Sequence, residues 1–425
     1  MRHFPRPAAR EAAALIALAM LAPALRAASI EETKPEEVGL SSERLVRIHE
    51  AVQRHIDAHD ISGAVTLVAR RGRLAHFEAQ GLMDLDSQKP MSKDALFWIA
   101  SMSKPITGVA IMMLVEEGKV RLNDPVSKFI PEFHGLKVAV LEERNGRGGA
   151  GSGPPQFYTI PAAREITIRD LLTHTSGLAS GGPASSAEVA KDPRKPGETL
   201  ASYIPRLGAI PLDFQPGTRW SYSPSAGFDT LGRIVEIASG QSFDQFLRER
   251  IFDPLGMKEI FFHPPEDRLP RIATTYHRQE GALTKVDQQA RLSNTTYFSG
   301  AGGLMTDAED YLQFGQMLLN GGELNGKRLL SPRTVELMAA VHAPDTLPGR
   351  PKGRGFGLSV QVVNDAIAAG YRVSDGSFGW DGAFGTHFWV DPKEKVVGVL
   401  MIQTNNSNRE LDRDFENAVM QAIVE

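Results

Sequence analysis

Two residues with complementary chemistry stand three positions apart in the stretch Ser101-Met102-Ser103-Lys104. A serine hydroxyl becomes a good nucleophile only when a base removes its proton. A lysine amine can be that base when burial or a neighbouring cation lowers its pKa. Because residues three apart lie on the same face of a helix, the two side chains can meet. We therefore predict that Ser101 is a nucleophile and that Lys104 activates it.

The flanking residues place Ser101 at the start of a helix. An apolar run precedes it (residues 96–100), and Pro105 follows, which a helix tolerates only near its first turn. The free N–H groups of a helix N-terminus favour a developing oxyanion. A Ser-x-x-Lys pattern alone is expected about once by chance in a chain of this length. The alternative is therefore a helix-capping serine beside a surface lysine.

A tyrosine on a polar loop supplies a second candidate. Residues 220–224 read Trp-Ser-Tyr-Ser-Pro, after a turn at residues 216–217 and before a helix that we expect from Gly227. On such a loop the hydroxyl of Tyr222 can face a cleft and exchange protons with a neighbouring lysine. The alternative is a half-buried tyrosine that only packs.

A glycine-rich stretch, residues 379–383 (GWDGA), supplies a third candidate just before an apolar strand. Glycines let a substrate approach the backbone closely. The backbone N–H that follows Gly382 can complete an oxyanion hole. The alternative is a glycine-rich turn with a core tryptophan.

The elements that must position these residues lie at both ends of the chain, with a mainly helical middle. Ser41 and Ser42 can cap a helix whose apolar residues recur at helical spacing up to Ile56. Residues 144–155 (RNGRGGAGSGPP) predict a Gly/Pro-rich surface insertion. Further strands are expected at residues 64–69, 74–79, 357–363, 385–390 and 396–403, and further helices at 107–117, 168–172, 227–238 and 411–423.

This order predicts an α/β (α+β) fold. Both chain ends build one antiparallel sheet, flanked by N- and C-terminal helices, with a large mainly helical insert between them. Antiparallel hairpins at both ends argue against a doubly wound parallel sheet. We expect a sheet domain from residues 36–105 and 300–425, and a mainly helical domain from residues 106–299.

The composition argues against several kinds of partner and functional site. The formal net charge of −4, without a dense Lys/Arg stripe, argues against a nucleic-acid partner. The absence of cysteine excludes a cysteine nucleophile, a Cys-ligated zinc and a disulfide. The 11 histidines form no His-Glu-x-x-His pair, so we predict no metal, and we predict no cofactor. His174 is assigned a structural role, satisfying loop backbone near the cleft.

The first 27 residues predict a cleavable secretory signal peptide. Three arginines precede a short apolar run (residues 12–21), and residues 22–24 (Ala-Pro-Ala) offer a cleavage pattern, with a second option ending at Ala27. The run is too short to span a bilayer comfortably as a helix. We therefore expect export to the periplasm or the outside without stable membrane insertion; the alternative is an uncleaved anchor.

Together the three candidate sites resemble the serine beta-lactamase-like superfamily, which includes class C beta-lactamases, serine D-Ala-D-Ala carboxypeptidases and family VIII carboxylesterases. Ser-x-x-Lys comes first, then a tyrosine triplet at residues 222–224, then Trp-x-Gly at residues 380–382. Connecting stretches also look typical of the superfamily: residues 167–178 (TIRDLLTHTSGL), 253–257 (DPLGM) and 302–306 (GGLMT). The resemblance covers roughly residues 36–420.

The resemblance implies a role for each candidate. Ser101 would be the acylated nucleophile, and Lys104 and Tyr222 would share the proton transfers. The backbone N–H groups of Ser101 and Ala383 would form the oxyanion hole. The substrate pocket would be lined by one short segment, Trp380, Asp381 and Gly382.

Two departures from the superfamily pattern resemble its esterase branch. Pro224 stands where the superfamily has the Asn of Tyr-x-Asn, so that amide contact with substrate is absent. Trp380 stands where Lys is usual, and it cannot attract the carboxylate that penicillins and peptide C-termini carry. Asp381 would disfavour anionic substrates further if its side chain faced inward.

These observations predict an exported serine hydrolase, most simply a carboxylesterase for short-chain or moderately apolar esters. One alternative is a beta-lactamase or a D-Ala-D-Ala carboxypeptidase, which would act on a small-molecule amide. Another is a catalytically silent binding protein of the same fold, against which the intact Ser101, Lys104 and Tyr222 argue. The sequence leaves the oligomeric state open.

Overall fold

The computed structural model describes residues 1, 30–142, 156–288, 295–405 and 410–425. Apart from Met1, the predicted signal peptide lies outside the described residues, and so does the Gly/Pro-rich insertion. Within the described ranges, no helix combines the length and apolar character that a membrane crossing requires.

The strands are longest near the two ends of the chain. In chain order they are β1 (Gly63–Arg70), β2 (Arg73–Asp84), β3 (Lys89–Pro90), β4 (Phe97–Trp98), β5 (Lys137–Leu141), β6 (Phe157–Pro161), β7 (Tyr276–Gln279), β8 (Ala282–Lys285), β9 (Met305–Thr306), β10 (Glu323–Leu324), β11 (Lys327–Arg328), β12 (Arg354–Phe356), β13 (Gln361–Val363), β14 (Phe378–Asp381), β15 (His387–Asp391), β16 (Val396–Met401) and β17 (Thr404–Asn405).

The helices are concentrated in the middle of the chain. In chain order they are α1 (Ser42–Asp57), α2 (Ser103–Glu116), α3 (Ile168–Leu172), α4 (Pro183–Lys191), α5 (Leu200–Tyr203), α6 (Ala226–Ser239), α7 (Phe243–Leu247), α8 (Asp253–Leu255), α9 (Ala308–Leu319), α10 (Pro332–Ala339), α11 (Ala366–Ala369) and α12 (Glu410–Met420). The predicted capping serine is confirmed, because Ser41 Oγ accepts the Arg44 N–H at 3.3 Å.

One antiparallel sheet joins the two ends of the chain, in the order β12-β13-β14-β15-β16-β1-β2-β3. At its centre β1 pairs with β16, with Val65 opposite Met401 and Arg70 opposite Val396. The predicted fold class, an antiparallel sheet with flanking helices and a large helical middle, is confirmed.

Two predicted strands begin later than the sequence suggested. Residues 357–363 do not form one strand: the chain reverses after β12, where the Gly357 N–H bonds the Val360 carbonyl at 2.8 Å, and returns as β13. Ser359 has a φ of +71° in this turn, which extended backbone does not allow. The strand expected from Gly385 begins at His387, because Gly385 has a φ of +87° and belongs to the preceding turn.

Apolar helices cover both faces of the sheet. On one face α1 and α12 contribute Ile48 and Phe415 to a core with Trp389 of β15. On the other face α2, α9 and the helical middle share a larger core with Phe388, the next residue of β15. Because neighbouring residues of a strand face opposite sides, the central strands β1, β15 and β16 supply both cores.

Helix α2 is buried on nearly all sides, from Ser103 to Leu114, which its apolar sequence allows. The middle of the chain also contacts the C-terminal part, because β7 pairs in parallel with β17, with Tyr276 opposite Thr404. The division into a sheet domain and a helical domain at residues 106 and 299 stays a prediction.

Candidate active site

Ser101 lies on a tight turn that leads directly into α2. Residues Ala100–Met102 form a single 3-10 turn, and the Met102 N–H bonds the Ile99 carbonyl at 2.9 Å. Ala100 has a φ of +42°, in the left-handed region that costs a residue with a Cβ free energy. Such strain persists only where the surrounding structure fixes the backbone. Ser101 itself is partly exposed, whereas Lys104 lies inside the core.

Lys104 has no exposed surface, and its amine contacts three oxygen atoms of the described residues. Its Nζ lies 3.1 Å from Ser101 Oγ, 2.8 Å from the Pro224 carbonyl and 2.7 Å from the Ala301 carbonyl. Burial lowers the pKa of Lys104 to about 7, although the negative charge of Asp229 opposes this. The amine is thus poised between its two protonation states near neutral pH.

The carbonyls of Pro224 and Ala301 decide where the lone pair of a neutral Lys104 points. A carbonyl oxygen can only accept, so the two N–H bonds of the neutral amine go to these two oxygens. The third direction, toward Ser101 Oγ, is then held by the lone pair. Lys104 in this state can accept the Ser101 proton, which is the arrangement that a general base requires.

Tyr222 approaches the nucleophile from the other side. Its hydroxyl donates a hydrogen bond of 2.5 Å to Ser101 Oγ. The Lys104 ammonium also lies 5.0 Å from the centre of the Tyr222 ring. The structure therefore brings together the three residues that the sequence nominated for acylation and proton transfer.

Asp229 of α6 is a buried residue that the sequence reasoning missed. Its Oδ1 accepts the Ala301 N–H at 3.0 Å and the Ser299 hydroxyl at 2.6 Å, and its Oδ2 accepts the Tyr297 hydroxyl at 2.8 Å. These bonds fix the loop whose Ala301 carbonyl binds Lys104. A carboxylate on the apolar face of an amphipathic helix, seven residues after Tyr222, was the available signal.

His174 has the structural role that the sequence predicted. Its Nδ1 accepts the Ser223 N–H at 3.2 Å, which fixes the loop that carries Tyr222. Burial lowers the pKa of His174 well below its usual value, and the charges of Lys104 and Arg350 lower it further. The ring is therefore neutral and packs 4.7 Å from the Tyr222 ring, centre to centre.

Trp380 lies at the wall of the site as part of an aromatic cluster. Its ring centre is 5.7 Å from that of Tyr222 and 5.1 Å from that of Phe356. Trp220 also stacks on Tyr222, with 6.4 Å between ring centres. These rings pack around Tyr222 and orient its ring, and the Arg350 guanidinium stacks on Trp220, 4.5 Å from the ring centre.

The turn between β14 and β15 brings Ala383 to the same cleft as Ala100. The Gly382 N–H bonds the Thr386 carbonyl at 2.7 Å and closes the turn. A Cβ on Gly382 would lie 2.5 Å from the Ile99 carbonyl oxygen, so this turn abuts the strained backbone just before Ser101. The oxyanion hole from the N–H groups of Ser101 and Ala383 stays a prediction.

Asp381 does not carry a negative charge into the cleft, contrary to the inward-facing alternative. It stands opposite His387 in the β14–β15 pair, and its Oδ1 accepts the His387 Nδ1–H at 2.6 Å. His387 Nε2 lies 3.1 Å from Glu416 of α12. Since Trp380 faces the site, strand alternation turns Asp381 to the opposite face of the sheet.

The cluster around His387 is also the place where described residues could hold a cation. Ligand atoms of Asp381, His387 and Asp412 all lie within 4.8 Å of one another. Both ring nitrogens of His387 already face carboxylates, Asp381 on one side and Glu416 on the other. A protonated imidazole satisfies these contacts by itself, so the geometry calls for no metal.

A cleft of about 840 Å³ opens beside the nucleophile. Ala100, the residue before Ser101, lines it together with Ala383, and so do Arg194 and Tyr297. Loops between helices supply most of its wall, and the sequence reasoning nominated neither Arg194 nor Tyr297. A volume of this size accommodates a small organic molecule.

Comparisons with known proteins agree with this geometry. The family model described as Beta-lactamase matches residues 48–422. Protein Rv1367c of Mycobacterium tuberculosis (strain ATCC 25618 / H37Rv) is 37% identical over 366 residues, 83% of this chain and 88% of that protein. Esterase EstB of Burkholderia gladioli is 30% identical over 386 residues, 85% of this chain and 90% of that protein.

Among solved structures, one of the similar chains is "EstCE1, a hydrolase with promiscuous acyltransferase activity". It superposes with a TM-score of 0.75 at 27% identity, covering 89% of this chain and 99% of that chain. The sequence match and the structural match both extend over nearly the full length of these relatives.

Proposed function

We propose that this chain, which belongs to the beta-lactamase family and has its serine hydrolase fold, is a carboxylesterase that forms its acyl-enzyme on Ser101. One observation carries the proposal: Ser101 Oγ lies between Lys104 Nζ at 3.1 Å and the Tyr222 hydroxyl at 2.5 Å. The two remaining contacts of Lys104 are carbonyls, which leave its lone pair for the Ser101 proton.

Acylation begins when neutral Lys104 takes the proton of Ser101 as Oγ attacks the ester carbonyl carbon. The carbonyl oxygen becomes an oxyanion, which the N–H groups of Ser101 and Ala383 are proposed to stabilise. As the carbon–oxygen bond to the alcohol breaks, Tyr222 is placed to donate a proton to the departing alkoxide. Lys104 can return a proton to Tyr222, so the pair acts as one unit.

Deacylation uses the same groups in reverse. Water attacks the acyl carbon and loses its proton to the neutral Lys104–Tyr222 pair, and the bond to Ser101 Oγ breaks as Oγ regains a proton. The carboxylic acid leaves, and Ser101, Lys104 and Tyr222 return to their starting states.

The walls of the site favour an ester over a beta-lactam. Trp380, and not the lysine of the superfamily pattern, lies beside Tyr222. Pro224 contributes its backbone carbonyl to Lys104 and has no side-chain amide for the substrate. A penicillin carboxylate would therefore find neither partner that the superfamily pattern supplies. EstB, at 30% identity, carries the name of an esterase.

The experiment compares turnover of p-nitrophenyl butyrate and nitrocefin by the wild type, Ser101→Ala and the control Ser87→Ala. Ser87 is exposed in a turn and bonds only Asp84. We expect ester hydrolysis in the wild type and the control, and none above background in Ser101→Ala. Rapid nitrocefin turnover without ester hydrolysis would instead favour the beta-lactamase alternative, and no turnover or acylation would favour the silent binding protein.

Export remains part of the proposal. The support is the pattern of residues 1–27, a charged start followed by a short apolar run and a small-residue cleavage pattern. Expression of the full chain followed by N-terminal sequencing of the periplasmic fraction should give a start between residues 25 and 28. Recovery of only full-length protein in the cytoplasm would contradict it.

A further inference from the structure

The cleft carries a basic side chain whose donors have no acceptor among the residues that the structure describes. The guanidinium of Arg194 lies over the ring of Tyr297, 4.4 Å from its centre, and both residues line the cleft. In the described part of the chain, no ion pair or hydrogen bond joins Arg194 to another residue. Stacking thus holds a cation in place while its five N–H donors remain available.

Tyr203 supplies a second donor at the same place. Its ring meets that of Tyr297 edge-on, 6.0 Å between centres, and it lines the same cleft. The positive charge of Arg194 acts on the phenols of both Tyr203 and Tyr297. Within the described residues the hydroxyl of Tyr203 has no hydrogen-bond partner. A planar cation and a hydroxyl donor that both lie against the Tyr297 ring and line one cleft can together bind a carboxylate.

The acidic groups nearby have polar partners other than Arg194. Asp229, which also lines the cleft, receives three hydrogen bonds, from Tyr297, Ser299 and Ala301. Glu198 pairs with Arg206 at 3.1 Å, and Asp192 pairs with Arg206 at 3.4 Å. None of these carboxylates forms an ion pair with Arg194, so within the described residues its guanidinium is open to an anionic ligand.

We propose that the cleft binds an anionic group on the substrate, a carboxylate in the simplest case, between Arg194 and the Tyr203 hydroxyl. The proposal rests on the proposed ester hydrolysis at Ser101 and names its substrate class: esters that carry a carboxylate on the part lying in this cleft. This site differs from that of the superfamily lysine. That lysine corresponds in the sequence to Trp380 on β14, whereas Arg194 lies on the loop after α4.

The test compares two pairs of esters that differ by one charge. p-Nitrophenyl hemisuccinate and p-nitrophenyl butyrate place a carboxylate or a methyl group on the acyl side. 3-Carboxyphenyl butyrate and phenyl butyrate place the charge on the alcohol side. The enzymes are the wild type, Arg194→Gln, Arg194→Glu, Tyr203→Phe and Lys191→Gln. Lys191 is an exposed cation on α4 that pairs with Glu188 and does not line the cleft.

Arg194→Gln should lower kcat/KM for the charged ester of one pair about tenfold through KM, as expected when one charge-assisted contact is lost. For the neutral ester of that pair, kcat/KM should change less than twofold. For the charged ester, Arg194→Glu should lower kcat/KM more than Arg194→Gln does, and Tyr203→Phe should lower it less. Equal losses on charged and neutral esters in both pairs would overturn the proposal. The same selective loss in Lys191→Gln would also overturn the proposal, because the effect would then come from the overall electrostatic potential of the surface and not from a contact with Arg194.

A binding readout separates this proposal from the proposed function. Mono-methyl succinate should slow fluorophosphonate labelling of the wild type and should protect Arg194→Gln about tenfold less. If no ester is hydrolysed but this protection is seen, ester hydrolysis fails and the anion site stands. If esters are hydrolysed and protection is equal in both proteins, the anion site fails alone.

Discussion

Lys104 must be neutral to accept the Ser101 proton, which makes activity depend steeply on pH. Burial brings its pKa from 10.5 to about 7. At an ordinary lysine pKa about one molecule in 3,000 would hold a neutral amine at pH 7, whereas here about half do. The change corresponds to about 5 kcal/mol, at about 1.4 kcal/mol for each pKa unit. This free energy is the cost of holding an ammonium where water does not reach it.

We therefore predict that kcat/KM rises with pH, with a midpoint near pH 7, and falls about tenfold for each pH unit below it. We call this rising part of the pH–rate profile the limb. The perturbation is Asp229→Asn. The negative charge of Asp229 raises the pKa of Lys104, so its removal should move the limb to lower pH. The assay is the initial rate on p-nitrophenyl butyrate from pH 5 to 9, corrected for hydrolysis without enzyme.

Asp310→Asn is the matched control, because Asp310 is also buried but accepts the Glu259 N–H at the start of α9. It should lower the melting temperature without moving the limb. A limb that stays in place in Asp229→Asn, or moves equally in both variants, would refute the electrostatic reasoning. A limb above pH 9 in the wild type would refute the role of Lys104 as a neutral base.

Three further predictions follow from single contacts. Tyr222→Phe should lower kcat about 10²- to 10⁴-fold, because it removes the hydroxyl that bonds Ser101 Oγ; steady-state rates check this, and an unchanged kcat would exclude Tyr222 from proton transfer. Gly382→Ala should lower both kcat and the melting temperature, since its Cβ would lie 2.5 Å from the Ile99 carbonyl oxygen; unchanged values would show that the turn can move. His387→Gln should lower the melting temperature most at low pH. Burial lowers the pKa of His387, but Asp381 and Glu416 outweigh this and raise it well above 6.5. Its stabilisation is thus complete below pH 6.5 and is lost as pH rises through the folded-state value. A difference between the wild type and His387→Gln that grows with pH would contradict this sign.

The sequence could predict the core of the site because its signals are local. Ser101 and Lys104 lie within one helical turn, so their spacing alone lets them meet. Tyr222 could be nominated from its loop and from the order of the superfamily motifs. The antiparallel sheet followed from the hairpins predicted at the two ends of the chain.

The parts that escaped prediction depend on contacts between distant residues. Asp229 acts through residues 297–301, about seventy positions later, and no local pattern reports that pairing. Arg194 lines the cleft beside Tyr297, a residue far along the chain on whose ring it stacks. The orientation of Asp381 was within reach, since an inward Trp380 requires an outward neighbour on a strand.

The most direct test of the central claim is the site of acylation. The protein is incubated with a fluorophosphonate, its intact mass is measured, and the modified peptide is sequenced by mass spectrometry. We predict one adduct per chain on Ser101, none in Ser101→Ala, and strongly slowed labelling in Lys104→Ala. An adduct retained in Ser101→Ala, or full-rate labelling of Lys104→Ala, would contradict a nucleophilic Ser101 activated by Lys104.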